Sequence, residues 1–199
     1  HFWVPGRGLL ADDTEGMRFS EHVQCLALLC DLFAGAERDR IQDGLLHAPG
    51  LARTTVYFSH YLFEALYHVG ALEHADARLS FWRQLPEMGL RTVLEQPEPS
   101  RSDCHAWGAH PLYHAYASFL GARPAEPGMA SIRLAPQPGP FKALRGTLPD
   151  PADGLISFDL SFEDGVAGRV ALPDDLSGEF WWEGARQPLN PGANDIRLP

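Results

Sequence analysis

The feature that most constrains this chain is a change in its apolar period near residue 121. Before that point apolar side chains recur every three or four residues, as on one face of a helix. From Ser131 onward they alternate in short runs divided by Pro and Gly. Helices followed by strands indicate two domains rather than one parallel α/β sheet. We therefore predict an α + β protein with domains at residues 1–124 and 125–199.

The first domain is predicted to be helical. We place helices at residues 21–34, 37–43, 55–69, 73–85 and 104–120. Ser20 is positioned to cap the first helix, and Gly35, Gly44, Gly70 and Gly121 stand where four helices would end. The short links favour antiparallel helix hairpins. Residues 26–29 are apolar nearly all round, which predicts burial on more than one side.

The second domain is predicted to be an antiparallel β-sandwich. Six short strands fall at residues 132–134, 141–148, 155–162, 166–172, 179–182 and 195–198. Residues 163–165 form a hairpin turn between two of them, and residues 188–192 form another turn. Short strands at this spacing, with frequent turns, are typical of sandwiches.

Composition restricts the possible partners. The formal net charge of −10 repels phosphate backbones, so we expect no nucleic-acid partner. No apolar run approaches the roughly 18 residues of a bilayer span, so we expect no membrane partner. Three cysteines without a CxxC pair argue against a disulfide framework or a zinc knuckle, and slightly favour a reducing compartment such as the cytoplasm.

The densest polar segment, residues 92–114, links two predicted helices and is stiffened by prolines. Glu95 follows an apolar stretch and precedes Arg101. A carboxylate there could stay ionised and accept a proton from water, which is what a general base requires. The same spacing fits a solvated glutamate or a simple ion pair with Arg101, so residue types alone leave both interpretations open.

Aromatic and imidazole side chains follow in the same segment. Trp107 could stack on a sugar ring while His105 hydrogen-bonds a hydroxyl group, although the pattern alone favours a capped helix start followed by a buried Trp. A second cluster at residues 57–61 includes Tyr57 and His60, which could line a cleft or simply fill a core. Loops carry function more often than element interiors do.

A metal site is a weaker hypothesis. His110 and His114 are spaced four residues apart and would share a helix face, with His105 one turn earlier. The glutamate of the HExxH motif is missing, however, and helix histidines are commonly structural. We therefore predict no metal and no cofactor.

Several segments resemble one known family. The runs GLRTVLE at residues 89–95 and SRSDCHAWGAHP at residues 100–111 resemble the late catalytic-domain signature of glycoside hydrolase family 78, the bacterial α-L-rhamnosidases. Residues 19–25 and 55–65 resemble the preceding helix hairpins, and residues 154–156 and 170–173 the C-terminal β-domain. The resemblance covers nearly the whole chain, and its His-Ala-Trp block is the most specific part.

The resemblance implies a fold, a reaction and a site. It implies the last helices of a six-hairpin (α/α)6 barrel, a C-terminal β-domain, and inverting hydrolysis of a rhamnose-containing glycoside. Glu95 corresponds to the general base and His105 to a residue of the sugar pocket, with Trp107 close to it. The complete set of predicted substrate-binding residues is His105, Trp107, Arg101, Asp103, Tyr57 and His60.

One required group has no counterpart. Inversion needs a second carboxyl group about 6.5–9.5 Å from the base, and in the family it lies in an upstream motif that Asp12, Asp13 and Glu15 do not match. The chain also begins at His1 without Met. We therefore expect a C-terminal fragment that is inactive alone and exposes apolar surface. The alternatives are another six-hairpin glycosidase, or a non-catalytic carbohydrate-binding protein on the same scaffold.

Overall fold

The computed structural model describes residues 1–199, which divide into two compact units, His1–Pro111 and Leu112–Pro199. The prediction of a mixed α + β chain is confirmed. The strand Ala122–Pro124 lies before the predicted boundary at residue 124, and it pairs with Ser131–Leu134 of the second unit. None of the helices combines the length and the apolar character that a membrane span requires.

The first unit is mainly helical. It opens with a small antiparallel pair, and its regular elements are β1 (Trp3–Val4), β2 (Leu9–Leu10), α1 (Glu21–Leu29), α2 (Gly35–His47), α3 (Ser59–Val69) and α4 (Asp76–Gln84). Short 3-10 turns lie at Leu72–Ala75 and Ala106–Ala109. Helix α1 packs against both α2 and α3. The contact buries Cys25, Leu28, Ile41, Phe63 and Leu66, each at most 2% exposed.

Glycine positions account for most differences in the helix ends. Gly70 ends α3 in the left-handed conformation, with φ of 73°, as predicted. The predicted stop at Gly44 is wrong, since α2 runs through it to His47. A Cβ at Gly44 would lie 2.3 Å from Cδ2 of Leu9, so this close contact accounts for the glycine. Gly35 begins α2 rather than ending α1. The Ser20 hydroxyl donates to Asp12 Oδ1 at 2.7 Å instead of capping α1.

The predicted helix at residues 104–120 is not continuous. A 3-10 turn is followed by α5 (His110–His114) and then by a π-helical segment, Ala115–Phe119. Pro111 is the second residue of α5, where its missing N–H removes no intrahelical bond. The kink that Pro111 would cause in a longer helix is therefore avoided.

The second unit contains two four-stranded sheets. Its strands are β3 (Ala122–Pro124), β4 (Ser131–Leu134), β5 (Ala143–Pro149), β6 (Leu155–Ser161), β7 (Val166–Leu172), β8 (Ser177–Trp182), β9 (Ala185–Leu189) and β10 (Gly192–Leu198). One sheet has the order β3-β4-β8-β9 and the other β10-β7-β6-β5. Neighbouring strands run antiparallel except β4 and β8, which are parallel. The all-antiparallel prediction is wrong for that pair, because the chain builds β5, β6 and β7 in the other sheet before it returns.

Both sheets contribute their inward side chains to one apolar core. Ile132 and Phe180 come from one sheet, and Ile156, Leu160 and Val170 from the other, all at most 1% exposed. Burying each such side chain stabilises the fold by roughly 1.5–3 kcal/mol. Strand β9 was not predicted, and its last two residues overlap the turn predicted at residues 188–192. It is an edge strand, which explains how it accommodates Pro188.

Candidate functional site

Glu95 lies in a loop of the first unit that folds back on itself. The Glu95 N–H donates to the Ser102 carbonyl at 2.9 Å, and the His105 N–H donates to the Val93 carbonyl at 2.8 Å. The neighbouring Leu94 is only 1% exposed and anchors the loop in the apolar interior. These backbone bonds bring side chains that are ten residues apart in sequence to the same place.

The Glu95 carboxylate is shielded and charged. Its side chain is 14% exposed, and Arg101 donates from Nε to Oε2 at 3.0 Å and from Nη2 to Oε1. Hydrogen bonding from Arg101 is the main reason that the pKa of Glu95 is lowered, and the positive charges of Arg101 and His105 add to the effect. His105 Nε2 lies 4.0 Å from Oε1. The group is therefore ionised at neutral pH.

His105 also faces an indole ring. The centroids of the His105 and Trp107 rings are 4.4 Å apart, with the planes inclined at 61°. The side chain is 21% exposed, and its Nδ1 is buried without a hydrogen-bond partner. One imidazole thus contacts the carboxylate on one side and the indole on the other, which makes it a connecting group between them.

A series of rings extends from Trp107 toward α3. Trp107 is 47% exposed, and its ring centroid lies 5.9 Å from that of Tyr57. The Tyr57 and Tyr61 rings are 6.2 Å apart, and the His60 and Tyr61 rings 5.2 Å apart. A hydrogen bond with Tyr57 raises the pKa of the Tyr61 phenol. Tyr61 was not among the predicted site residues, although its spacing of four residues from Tyr57 on one helix face was the available signal.

The predicted residues do not all converge. Glu95, Arg101, His105, Trp107 and Tyr57 form a continuous set of contacts, and His60 joins it through Tyr61. The side chain of Asp103 is not part of this set of contacts. Its carbonyl accepts a hydrogen bond from the Thr92 hydroxyl, while its exposed carboxylate makes no hydrogen bond.

Two further side chains, Trp82 and His110, pack together next to the loop that carries the site. Trp82 Nε1 donates to the Gly108 carbonyl at 2.6 Å, and its ring lies 5.1 Å from that of His110. His110 Nε2 lies 3.1 Å from both Ser59 Oγ and the Val56 carbonyl. Burial lowers the pKa of His110 to about 4, so the ring is neutral at physiological pH. The sequence pattern singled out His110 only as a possible metal ligand.

Two cavities of the first unit lie apart from Glu95. One of about 370 Å³ is lined by Glu21, His47, His74 and Arg78, among others. Another of about 310 Å³ is lined by Thr54, Phe81, Trp82 and Gln96, among others. Neither includes Glu95, His105 or Trp107 in its walls.

Comparison with known proteins finds solved structures with a similar fold. No protein-family model and no curated protein sequence matches the chain. Several solved structures do, among them the following three. A GH78 family rhamnosidase of Bacillus sp. GL1 is 24% identical with a TM-score of 0.79, over 90% of this chain and 21% of that one. An α-L-rhamnosidase from Dictyoglumus thermophilum is 18% identical with a TM-score of 0.72, over 96% of this chain and 26% of that one.

The third is the Streptomyces avermitilis α-L-rhamnosidase complexed with L-rhamnose, 18% identical with a TM-score of 0.65, over 87% of this chain and 21% of that one. The structural neighbours are thus glycoside hydrolases, and at these identities the likeness establishes a shared fold. The chain spans between 21% and 26% of the length of the three structures.

Proposed function

We propose that this chain is the C-terminal part of an inverting α-L-rhamnosidase, with Glu95 as its general base. The observation that carries the proposal is the contact between a shielded, ionised carboxylate and His105, beside the half-exposed ring of Trp107. The likeness in fold to three rhamnosidases, one of them determined with L-rhamnose, supports a rhamnose-containing glycoside as the substrate.

The proposed fold follows the same likeness. In this proposal the helices of the first unit are the last part of a six-hairpin α/α-barrel, and the two sheets of the second unit are its C-terminal β-sandwich. The general acid then lies in a part of the barrel outside this chain. An inverting pair needs that carboxyl group about 6.5–9.5 Å from Glu95, which leaves room for one water molecule.

The chemistry of the base follows from its hydrogen bonds. Each carboxylate oxygen of Glu95 has two lone pairs, and Arg101 uses one on each oxygen. A water molecule can donate to a remaining lone pair and lose its proton there as it attacks the anomeric carbon. His105 hydrogen-bonds a sugar hydroxyl, and Trp107 packs its ring on the apolar side of the sugar. We assign Arg101, Asp103, Tyr57 and His60 to the surroundings of the sugar.

The test is Glu95→Gln in the longer protein. Loss of general-base catalysis lowers kcat by roughly 10²–10⁴-fold, while the amide keeps the shape of the site, so the Kd for L-rhamnose changes little. The matched control is Glu87→Gln, an exposed glutamate of the same unit, which leaves kcat unchanged. Unchanged turnover in Glu95→Gln would overturn the assignment of the base.

An activity assay of the isolated chain provides a second test of the proposal. We expect it to cleave no aryl rhamnoside, because the acid is absent from it. Ordinary turnover by the chain alone would show that both carboxyl groups are present. If the longer protein binds L-rhamnose but cleaves no rhamnoside, the alternative of a non-catalytic carbohydrate-binding protein replaces the hydrolase.

A further inference from the structure

The arginines on the outward faces of the two sheets have different partners. Across the β10-β7-β6-β5 sheet, Arg145, Asp159, Arg169 and Asp195 lie directly opposite one another on successive strands. Arg145 pairs with Asp159 at 2.8 Å, and Arg169 pairs with Asp195 at 2.9 Å. Each arginine in this row has a carboxylate partner, so the row is electrically neutral.

On the β3-β4-β8-β9 sheet, two arginines share an indole ring instead. Arg186 lies opposite Trp181 in the register, and Arg133 lies opposite Glu179. The guanidinium carbon of Arg186 is 4.0 Å from the centroid of the Trp181 ring, and that of Arg133 is 5.0 Å from it. Glu179 accepts a hydrogen bond from Trp181 Nε1 at 2.8 Å. Neither arginine forms an ion pair, and the Glu179 carboxylate beside Trp181 offsets only one of their two positive charges.

This arrangement leaves hydrogen-bond donors in fixed positions. A guanidinium has five N–H donors, and stacking on an indole occupies its flat face rather than its edges. The Nε of Arg133 is buried and has no hydrogen-bond partner. Arg186 is exposed and Arg133 and Trp181 are half-buried, so the donors other than the buried Nε of Arg133 adjoin solvent. Paired donors of this kind match the geometry of a carboxylate.

The overall charge restricts the ligand. A chain of net charge −10 repels polyanions at long range, so binding of an anion here depends on direct hydrogen bonds from these two arginines. We propose that this sheet face binds an acidic polysaccharide, whose uronate carboxylates accept hydrogen bonds from Arg133 and Arg186. The choice of a glycan over an acidic peptide rests on the proposed function, because a glycoside hydrolase acts on carbohydrates.

The test is a titration of the chain with an oligogalacturonate, followed by calorimetry. We expect saturable binding, no binding of a neutral glucan, and about a tenfold weaker Kd in Arg186→Gln from the loss of charge-assisted hydrogen bonds. Arg169→Gln removes the same charge from the other sheet and is expected to change Kd less than about twofold, as befits a residue away from the site.

Three results would overturn the proposal. The first is no saturable binding. The second is an equal loss in Arg169→Gln, which would make net charge the cause. The third is equally tight binding of polyglutamate, which would replace the glycan by an acidic peptide. Should Arg186→Gln fold poorly, Arg186→Lys keeps the charge without the planar fork and is expected to weaken binding as well.

Failure of this proposal is separable from failure of the proposed function. Glu95→Gln is expected to leave the affinity for oligogalacturonate unchanged, because Glu95 belongs to the other unit. Arg186→Gln is expected to leave rhamnoside turnover by the longer protein unchanged when a small aryl rhamnoside is the substrate.

Discussion

Both carboxylate oxygens of Glu95 accept hydrogen bonds from the guanidinium of Arg101. The two partners differ sharply in exposure, since the Glu95 side chain is 14% exposed and that of Arg101 is 78% exposed. A shielded acid is thus held by a cation that remains in solvent. The arrangement keeps the carboxylate ionised while part of it stays accessible to water.

Arg101→Gln is expected to raise the pKa of the Glu95 carboxyl toward its usual value of 4.5, because the hydrogen bonds from Arg101 are the largest cause of its lowering. The measurement is the pH titration of the side-chain carboxyl carbon by NMR. Arg91→Gln, an exposed arginine nearby that forms no ion pair, is the control and is expected to leave that pKa unchanged. An unaltered titration in Arg101→Gln would contradict the interpretation.

Arg78→Met is expected to lower the free energy of unfolding by about 3 kcal/mol, because it leaves a buried carboxylate without its cation. The Glu21 side chain is 9% exposed and that of Arg78 is 19% exposed. Glu21 Oε1 accepts from Arg78, and Oε2 accepts from the Thr54 N–H at 2.7 Å. Urea denaturation measures the change.

The control for the Arg78 variant is Arg145→Met. Arg145 and Asp159 form a surface pair whose side chains are 78% and 57% exposed. Such a pair contributes less than about 1 kcal/mol. Equal losses in the two variants would show that the Glu21–Arg78 pair contributes no more than a surface pair.

How far the sequence predicts the fold depends on how local each signal is. The hairpin between β6 and β7 was predicted from Glu163, Asp164 and Gly165, and Gly165 adopts φ of 82° as such a turn requires. Gly44 misled the prediction because its role is a contact with Leu9, which is distant in sequence. Local spacing does not reveal such a contact.

The candidate site shows the same limit. The residue types at positions 95, 101, 105 and 107 indicated carboxylate and sugar chemistry, and the resemblance gave them roles. Their proximity depends on the backbone bond between Glu95 and Ser102, which no period in the sequence reveals. The burial of His110 likewise depends on packing against Phe63 and Trp82, whose rings come from two other helices.

Gly121→Ala is expected to destabilise the second unit by more than Gly184→Ala. Both glycines have positive φ, of 67° and 86°, so each alanine bears a conformational cost of roughly 1–2 kcal/mol. At Gly121, however, a Cβ would also lie 1.9 Å from the Ala135 carbonyl oxygen, whereas Gly184 has no atom within 4 Å of that position. Thermal unfolding of the two variants measures the difference, and equal midpoints would contradict the close approach.

The stability of the chain is expected to fall between pH 6.5 and about pH 4 through His110. Burial lowers its pKa from 6.5 to about 4 in the folded chain. The unfolded chain therefore binds a proton in this window that the folded chain does not, so the free energy of unfolding decreases as pH falls. Above pH 6.5 the ring is neutral in both states, and the contribution is constant.

Urea denaturation at pH 7.5 and pH 5 measures this dependence on His110. We expect a smaller loss of stability in His110→Gln than in the wild-type chain. His47→Gln, in which the replaced side chain is 61% exposed, serves as the control and is expected to retain the wild-type loss. A wild-type loss in His110→Gln would assign the dependence to other groups.

Two of the three thiols are expected to react with a disulfide reagent in the folded chain. Cys30 and Cys104 are exposed, whereas Cys25 is fully buried. Burial, and then the negative charge of Glu21, raise the pKa of Cys25 to about 12. Only about one molecule in 10⁴ would carry the reactive thiolate at pH 8. Cys30→Ser and Cys104→Ser should each lower the number of rapidly reacting thiols per chain by one, whereas Cys25→Ser should leave that number unchanged. The third thiol of the wild-type chain should react only when guanidinium unfolds it. Three equally rapid equivalents would show that α1 does not hold Cys25 in the interior.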